Sequence, residues 1–292
     1  MRGRALVFIA LTACGGESDP VDTAAPSATV TAFGVEAGDF VLPPERPWNP
    51  NPLELPTAPP VSVAVNQRIF AVPRDMLAAA KPGHLLALHA AHVVRVEGDL
   101  LVVREGHGEA YAIHPAYVVV PQPGRFARET LVIAAHRGRL HHGVVKHLLR
   151  DRVVVRFTDL GSRLGDQKLD PTRVGVIGPG LSPGGHAVYP TESGLAHVLL
   201  VSRGEHADGK ARWLTIGYGG TADLIDEERL QPLPVRQRFR PRIGDTVRAA
   251  YRGTMVMATL REIDRPGWYT VKRERAGAPL LVGPTEIMPA SD

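Results

Sequence analysis

Val132-Ile133-Ala134-Ala135-His136-Arg137-Gly138 and Val247-Arg248-Ala249-Ala250-Tyr251-Arg252-Gly253 are two versions of one seven-residue stretch. Each runs from a valine through two alanines and a ring side chain to Arg-Gly, a turn signal at the end of a strand-like run. Some 35 residues later Asp170-Pro171-Thr172-Arg173-Val174 matches Gly283-Pro284-Thr285-Glu286-Ile287, so both ends of a longer segment recur, which marks an internal repeat. Between the ends, Gly143 to Leu149 and Arg152 to Phe157 read as strands in one copy, and Thr254 to Ile263 and Trp268 to Lys272 in the other. Arg150-Asp151 and Asp264-Arg265-Pro266-Gly267 supply the turns.

A further copy runs from Ala187-Val188-Tyr189 through Gly194 to Val198 and Ala211 to Ile216, closing at Asp226 to Leu230. A shorter one runs from Leu85 through Val93 to Val96 and Leu100 to Arg104, ending at His114 to Val118. Four units of roughly 45 to 60 residues result. Composition agrees with an all-β reading. Of 292 residues 30 are Gly and 26 Pro, so turns are frequent, and aromatics are only 5%, so large core anchors are scarce. The hydrophobic share of 44% excludes disorder throughout, and one cysteine excludes an intramolecular disulfide framework and a thiolate zinc site.

A unit of this length and strand rhythm suits a small, strongly bent five-stranded barrel. Gly143-Val144-Val145 followed by Val153-Val154-Val155-Arg156-Phe157-Thr158-Asp159-Leu160-Gly161 resembles the Tudor and SH3-like barrels, in which a valine-rich run precedes an aromatic, an aspartate and a glycine. The resemblance implies tandem SH3-like barrels at 68–122, 123–178, 179–235 and 236–292, the second and fourth being the most Tudor-like. Tudor barrels hold methylated lysine or arginine in an aromatic cage. Here Tyr251 stands at a first cage position, but Met255-Val256 follows it, and the second unit has His136 and His141-His142 with only Phe157 as the later aromatic. The cage is incomplete, and Trp213, Trp268 and Tyr269 read as strand residues.

The N-terminus has its own pattern. Arg2 and Arg4 precede an apolar run from Ala5 to Ala13, well short of the roughly 20 residues of a spanning helix. The run ends in Leu11-Thr12-Ala13-Cys14-Gly15, which resembles the lipobox of bacterial lipoproteins. That resemblance implies a signal peptide at 1–13, acylation of Cys14, and a bacterial cell-envelope protein held to a membrane by lipid. Residues 15 to 67 hold ten prolines, seven carboxylates and one arginine, with no apolar period. They are expected to form a disordered, polyproline-like tether over 14–67, or else a proline-rich ligand presenting Pro47, Trp48 and Pro50.

From residue 68 onward there are 31 lysines and arginines against 23 carboxylates. The densest basic run, Arg236, Arg238, Arg240 and Arg242, is a candidate surface for anionic glycan or lipid headgroups, with Tyr251 and Trp268 as further candidate ligand contacts. It reads equally as a solvated linker between two units. Histidines gather as His136, His141, His142 and His147 and as His84, His89, His92, His107 and His114, which raises metal binding, or a metal-dependent envelope enzyme, as an alternative. Neither group has a His-x-His pair or an HExxH helix, no GxSxG nucleophile elbow is present, and the glycine loops lack GK[ST]. The reading is therefore a non-enzymatic binding or scaffolding module with no cofactor and no assigned metal. An envelope glycan such as peptidoglycan, or a protein, is the expected partner, and nucleic acid is not.

Cys14→Ser should yield a chain that mass spectrometry finds unacylated and that no longer fractionates with membranes. An unmodified Cys14 in the parent protein would overturn the lipobox assignment.

Overall fold

The computed structural model describes residues 47–56, 63–159, 164–234, 239–264, 267–274 and 277–290. Cys14, Arg236, Arg238 and most of the expected tether lie outside the described residues. What is described is all-β, with one short helix. Unit one comprises β1 (Arg68–Ala71), the helix α1 (Arg74–Ala78), β2 (His89–Glu97), β3 (Leu100–Arg104), β4 (Ala110–Ile113) and β5 (Val118–Val119). Unit two follows as β6 (Leu131–His136), β7 (Arg139–Leu148), β8 (Val153–Phe157), β9 (Gln167–Leu169) and β10 (Val174–Val176). Unit three is β11 (His186–Thr191), β12 (Gly194–Glu205), β13 (Ala211–Ile216), β14 (Ala222–Asp226) and β15 (Gln231–Leu233). Unit four is β16 (Thr246–Tyr251), β17 (Thr254–Asp264), β18 (Trp268–Arg273), β19 (Leu280–Val282) and β20 (Ile287–Pro289).

All four units are wired alike. In each, the first strand pairs with the second, the second with the third and the third with the fourth, while the fifth returns antiparallel to the first. The register also slips once in every second strand, between Val93 and Arg95, Val145 and His147, Leu200 and Ser202, and Leu260 and Glu262. A bulge at that point bends the strand, so that its first half faces strand one and its second half strand three. In units two and four the first hairpin is closed by two residues at positive φ, Arg137 (48°) with Gly138 (79°) and Arg252 (49°) with Gly253 (82°). That is the turn whose twist matches flanking antiparallel strands.

A 3-10 turn carries each chain from the fourth strand to the fifth. In three units it begins with proline, at Pro115, Pro171 and Pro284, where the missing N–H costs no hydrogen bond. His114 and Asp170 accept the N–H of Ala116 and Thr172 to cap two of these turns. Among the described residues the fourth strand does not pair with the fifth, so each unit is a strongly bent five-stranded antiparallel sheet, and the expected all-β class holds.

Nor are the units independent beads. Units one and two merge into one ten-stranded sheet through His89↔Arg139, and units three and four through Ala196↔Thr254. Units two and four bury matching cores, with Val132, Ala134, Val145, Val155 and Val174 in one answered by Val247, Ala249, Leu260, Val271 and Ile287 in the other. Unit one's core instead continues into unit three, reaching Val201, Leu214, Ile216 and Ala222. The Ser202 hydroxyl donates to the Ala116 carbonyl (2.6 Å) across this junction. A small cluster of Val188, Leu233, Met255 and Met288 joins unit three to unit four.

The tether expected up to residue 67 ends earlier. Residues 47–56 lie on unit one as a strap, because Trp48, Leu53 and Leu55 give a proline-rich segment three apolar contacts with the unit one core. Trp48 donates its indole N–H to the Ala112 carbonyl (2.9 Å) and meets Tyr111 edge-on, with ring centroids 6.0 Å apart. Tyr117 Oη accepts the Leu53 N–H (2.9 Å), and the Pro50 carbonyl accepts the His114 N–H (3.1 Å). These single bonds hold a segment that turns at Asn51–Glu54 and does not join a ladder. The proline-rich bait is thus bound by its own protein. No helix among the described residues is long and apolar enough to cross a membrane.

Trp48→Ala should cost about 2 kcal/mol in urea unfolding, less than the loss for a fully buried tryptophan because the side chain is only partly covered. An unchanged midpoint would show that the strap adds nothing to the fold.

Candidate functional site

The two inter-unit strand contacts are copies of each other. His89 and Ala196 both lie four residues before the bulge of their strand, and Arg139 and Thr254 both open the strand after an Arg-Gly turn. The turn carbonyls are used identically, since Gly138 O accepts from Ala90 N–H (2.7 Å) and Gly253 O from His197 N–H (2.9 Å). Unit one's loop is tied to unit three where Leu86 N–H donates to Gly220 O (2.7 Å). These ties bring all four units around one cavity of about 400 Å³. Leu86 to Leu88 come from unit one, and Arg139 to His142 with Asp159 from unit two. Unit three gives His186, His197, Leu199 and Ile216 to Tyr218, and unit four gives Ala250 to Gly253 and Glu286.

Three imidazoles form part of its wall. His142 and His186 stack with centroids 4.0 Å apart, and His186 and His197 follow at 4.5 Å, with planes inclined by 34° and 35°. The outer two rings are pinned by carbonyls that can only accept. His142 Nε2 donates to Gly184 O (2.7 Å), and His197 Nε2 donates to Thr285 O (2.9 Å), so the stack ties unit two to unit three and unit three to unit four. His186 Nδ1 is buried with no hydrogen-bond partner. Burial, together with the neighbouring rings, holds His186 well below the usual imidazole range. Burial also pushes His197 down to about 4, against the opposing pull of its bond to Thr285. Both are neutral rings near neutral pH.

Two carboxyls in the same cavity are driven apart. Burial would raise Asp159, but hydrogen bonds from His141 and His142 hold it well below the usual carboxylate range. It accepts the His142 backbone N–H (2.9 Å) and faces His141 Nδ1 (3.3 Å). Burial pushes Glu286 up to about 7, against the bond it accepts from Gly283 N–H (2.7 Å) and with the charge of Asp159 adding to the rise. One acid is fixed as an anion and the other keeps its proton up to neutrality.

Aromatic and cationic groups complete the site. Tyr251 carries the Arg273 guanidinium 3.9 Å over its ring and that of Arg252 at 5.3 Å. Tyr218 is exposed (65%), and the backbone of Gly253 packs against it so closely that a Cβ there would lie 2.4 Å from the Tyr218 Cβ. Arg139 and Arg252 are exposed, and among the described residues neither has a carboxylate partner within salt-bridge distance.

Of the residues singled out by sequence, His141, His142 and Tyr251 line this cavity. Trp268 does not. It is a buried residue of β18 (9% exposed), with the Arg156 guanidinium 4.9 Å over its ring, and so offers no open platform. Arg240 and Arg242 are exposed in the segment before β16, where Arg242 N–H donates to Asp245 Oδ2 (2.7 Å), and they lie outside the cavity. His136, His141 and Phe157 do assemble, with centroids about 6 Å apart, around the aromatic that the Tudor comparison picked out. Among the described residues no group of three or more His, Cys, Asp and Glu side chains is arranged to hold a metal ion. Asp159, His186, His197 and Glu286 were not singled out. One signal existed for a single pair, since His142 and His197 both stand three residues before the bulge of their second strand.

No protein-family model matches this sequence, and no curated protein matches it.

The titration of the site has two opposed arms. Native His197 stays neutral down to about 4 whereas an unfolded histidine protonates near 6.5, so its share of stability is lost as pH falls from 6.5 toward 4. Native Glu286 keeps its proton to about 7 whereas the unfolded residue releases it near 4.5, so its share is lost as pH rises from 4.5 through 7. Glu286→Gln should therefore match the parent at about pH 4.5 and exceed it by about 3 kcal/mol at about pH 8 in urea unfolding. Equal pH slopes for the two proteins would show that Glu286 titrates as an ordinary surface acid.

Proposed function

We propose that this chain is a lipid-anchored protein of the bacterial cell envelope that binds a ligand without transforming it, and that the four-unit cavity is where it binds. The anchoring half of the reading rests on the Arg2-to-Cys14 pattern. The binding half rests on one observation, a cavity of small-ligand size to which every unit contributes, with fixed polar groups inside and unpaired cations at its edge. The shared wiring of the units, in which a bulged second strand is followed by a 3-10 turn before the fifth strand, supports an SH3-like (Tudor-like) ancestry. In that reading the repeats work as one receptor rather than as four weak sites in series. An envelope glycan such as peptidoglycan is the partner class proposed.

Full-length protein should pellet with isolated peptidoglycan sacculi, and Ala250→Trp, which fills the cavity from β16, should weaken pelleting by at least about tenfold, or ~1.4 kcal/mol. Replacing Arg240 and Arg242 with glutamine should leave it unchanged. If the filled variant pellets like the parent while keeping the parent's melting temperature, the cavity is not the site. If only the arginine variant fails, the basic linker is.

A further inference from the structure

We infer that the cavity is selective for a compact organic carboxylate, held through the guanidinium groups of Arg139 and Arg252. This rests on the cavity being the binding site.

The two guanidiniums that meet at the cavity carry the argument. Some strand arginines are matched by carboxylates, while others, such as Arg68, Arg104 and Arg261, have no carboxylate partner among the described residues. Arg203 pairs with Glu227 (2.7 Å), Arg212 with Asp226 (2.7 Å), and Arg156 with Asp166 (3.0 Å) and Asp264 (3.1 Å). Arg139 and Arg252 are left unmatched at one cavity, although they come from different units and are brought there by the two equivalent strand contacts. A guanidinium with open N–H groups is the side chain best shaped to take both oxygens of a carboxylate.

The carboxyls already present do not cancel them. Asp159 is an anion, but it is engaged by His141 and His142. Glu286 is spoken for by the Gly283 N–H and holds its proton to about neutrality. Arg139 and Arg252, with the Arg273 guanidinium over Tyr251, outnumber the one ionised carboxylate and leave the cavity a net positive charge. That surplus suits an anionic ligand. The remaining wall is faces rather than donors, formed by the stacked imidazoles, of which His186 and His197 are neutral, and by Leu140, Leu199 and Ile216. At roughly 30 Å³ per water-sized group, a space of this volume takes on the order of a dozen non-hydrogen atoms. The enclosed part of the ligand is then the carboxylate-bearing portion of one acidic sugar or of one short peptide end, with a single carboxylate and a partly apolar body.

Those two sources share the chemistry and can be separated by calorimetry on the full chain in uncharged detergent. The probes are N-acetylmuramic acid against N-acetylglucosamine, and N-acetyl-alanyl-alanine against its C-terminal amide. At least one carboxylate should bind at least tenfold more tightly than its neutral partner, and which pair shows this identifies the source. The double variant Arg139→Gln, Arg252→Gln should reduce that carboxylate to the affinity of the neutral probe without changing the melting temperature. Equal binding of acid and neutral probe, or full carboxylate affinity in the double variant, overturns the inference while leaving the cavity as the site. So does silence of all four probes when sacculi still pellet the protein in a cavity-dependent way. If Ala250→Trp has no effect on pelleting either, the site itself is wrong.

Discussion

The second strand of every unit must serve three neighbours, and the bulge within it is what makes this possible. Before the bulge, β2, β7, β12 and β17 pair with the first strand of their own unit and touch the second strand of the adjoining one. From two or three residues before it through to their ends they pair with the third strand. One extra residue in mid-strand adds both a bend and local twist, so the strand leaves its first partner while it continues along the third. Because the bulge stands at the same place in all four units, the inter-unit contact is also repeated, and with it the position of the Arg-Gly turn carbonyls. The cavity follows from this repetition. It is the space left where two equivalent strand pairs face each other.

Small size explains why the units fuse. Units two and four each bury only seven hydrophobic residues, mostly valine, alanine and leucine, in their own cores. Segments of this length bury a small share of their surface and are marginal alone. The chain compensates by letting unit one and unit three share a core and by docking the Trp48 strap over the outer side of unit one. Stability thus resides between units as much as within them, and an arrangement of this kind unfolds as one body rather than bead by bead.

Much of the strand pattern could be read from the sequence, because its causes are local. The Arg-Gly turns, the valine-rich runs and the Pro-Thr closure each report a backbone requirement within a few residues, and the repeat multiplied their weight. The pairing of units could not be read in the same way. Nothing in His89 or Ala196 distinguishes a residue touching another unit from one facing water. Proline density in 47–56 correctly excluded a ladder strand, yet it hid the spacing of Trp48, Leu53 and Leu55, which docks the segment on the core without strand pairing. The site was the least visible part. Asp159 follows a strand, Glu286 sits in a 3-10 turn and His186 opens unit three, so only the tertiary fold brings them together. Trp268 drew notice as an aromatic but is consumed by packing against Arg156.

The histidine stack shows how the site and the fold depend on each other. Face-to-face imidazoles 4.0 and 4.5 Å apart are tolerable only while the central ring is neutral, since a proton on His186 would sit between two rings with no carbonyl or carboxylate bonded to it. Neutrality is in turn enforced by burial, and burial exists because His142 and His197 are each tied by one N–H to a backbone carbonyl across a unit boundary. The burial that these inter-unit bonds create therefore keeps His186 and His197 neutral. Asp159 can stay ionised at its edge because His141 and the His142 amide satisfy it from outside the stack. Charge is confined to the places where it is hydrogen-bonded or solvated, and the interior between them is left for a ligand to fill.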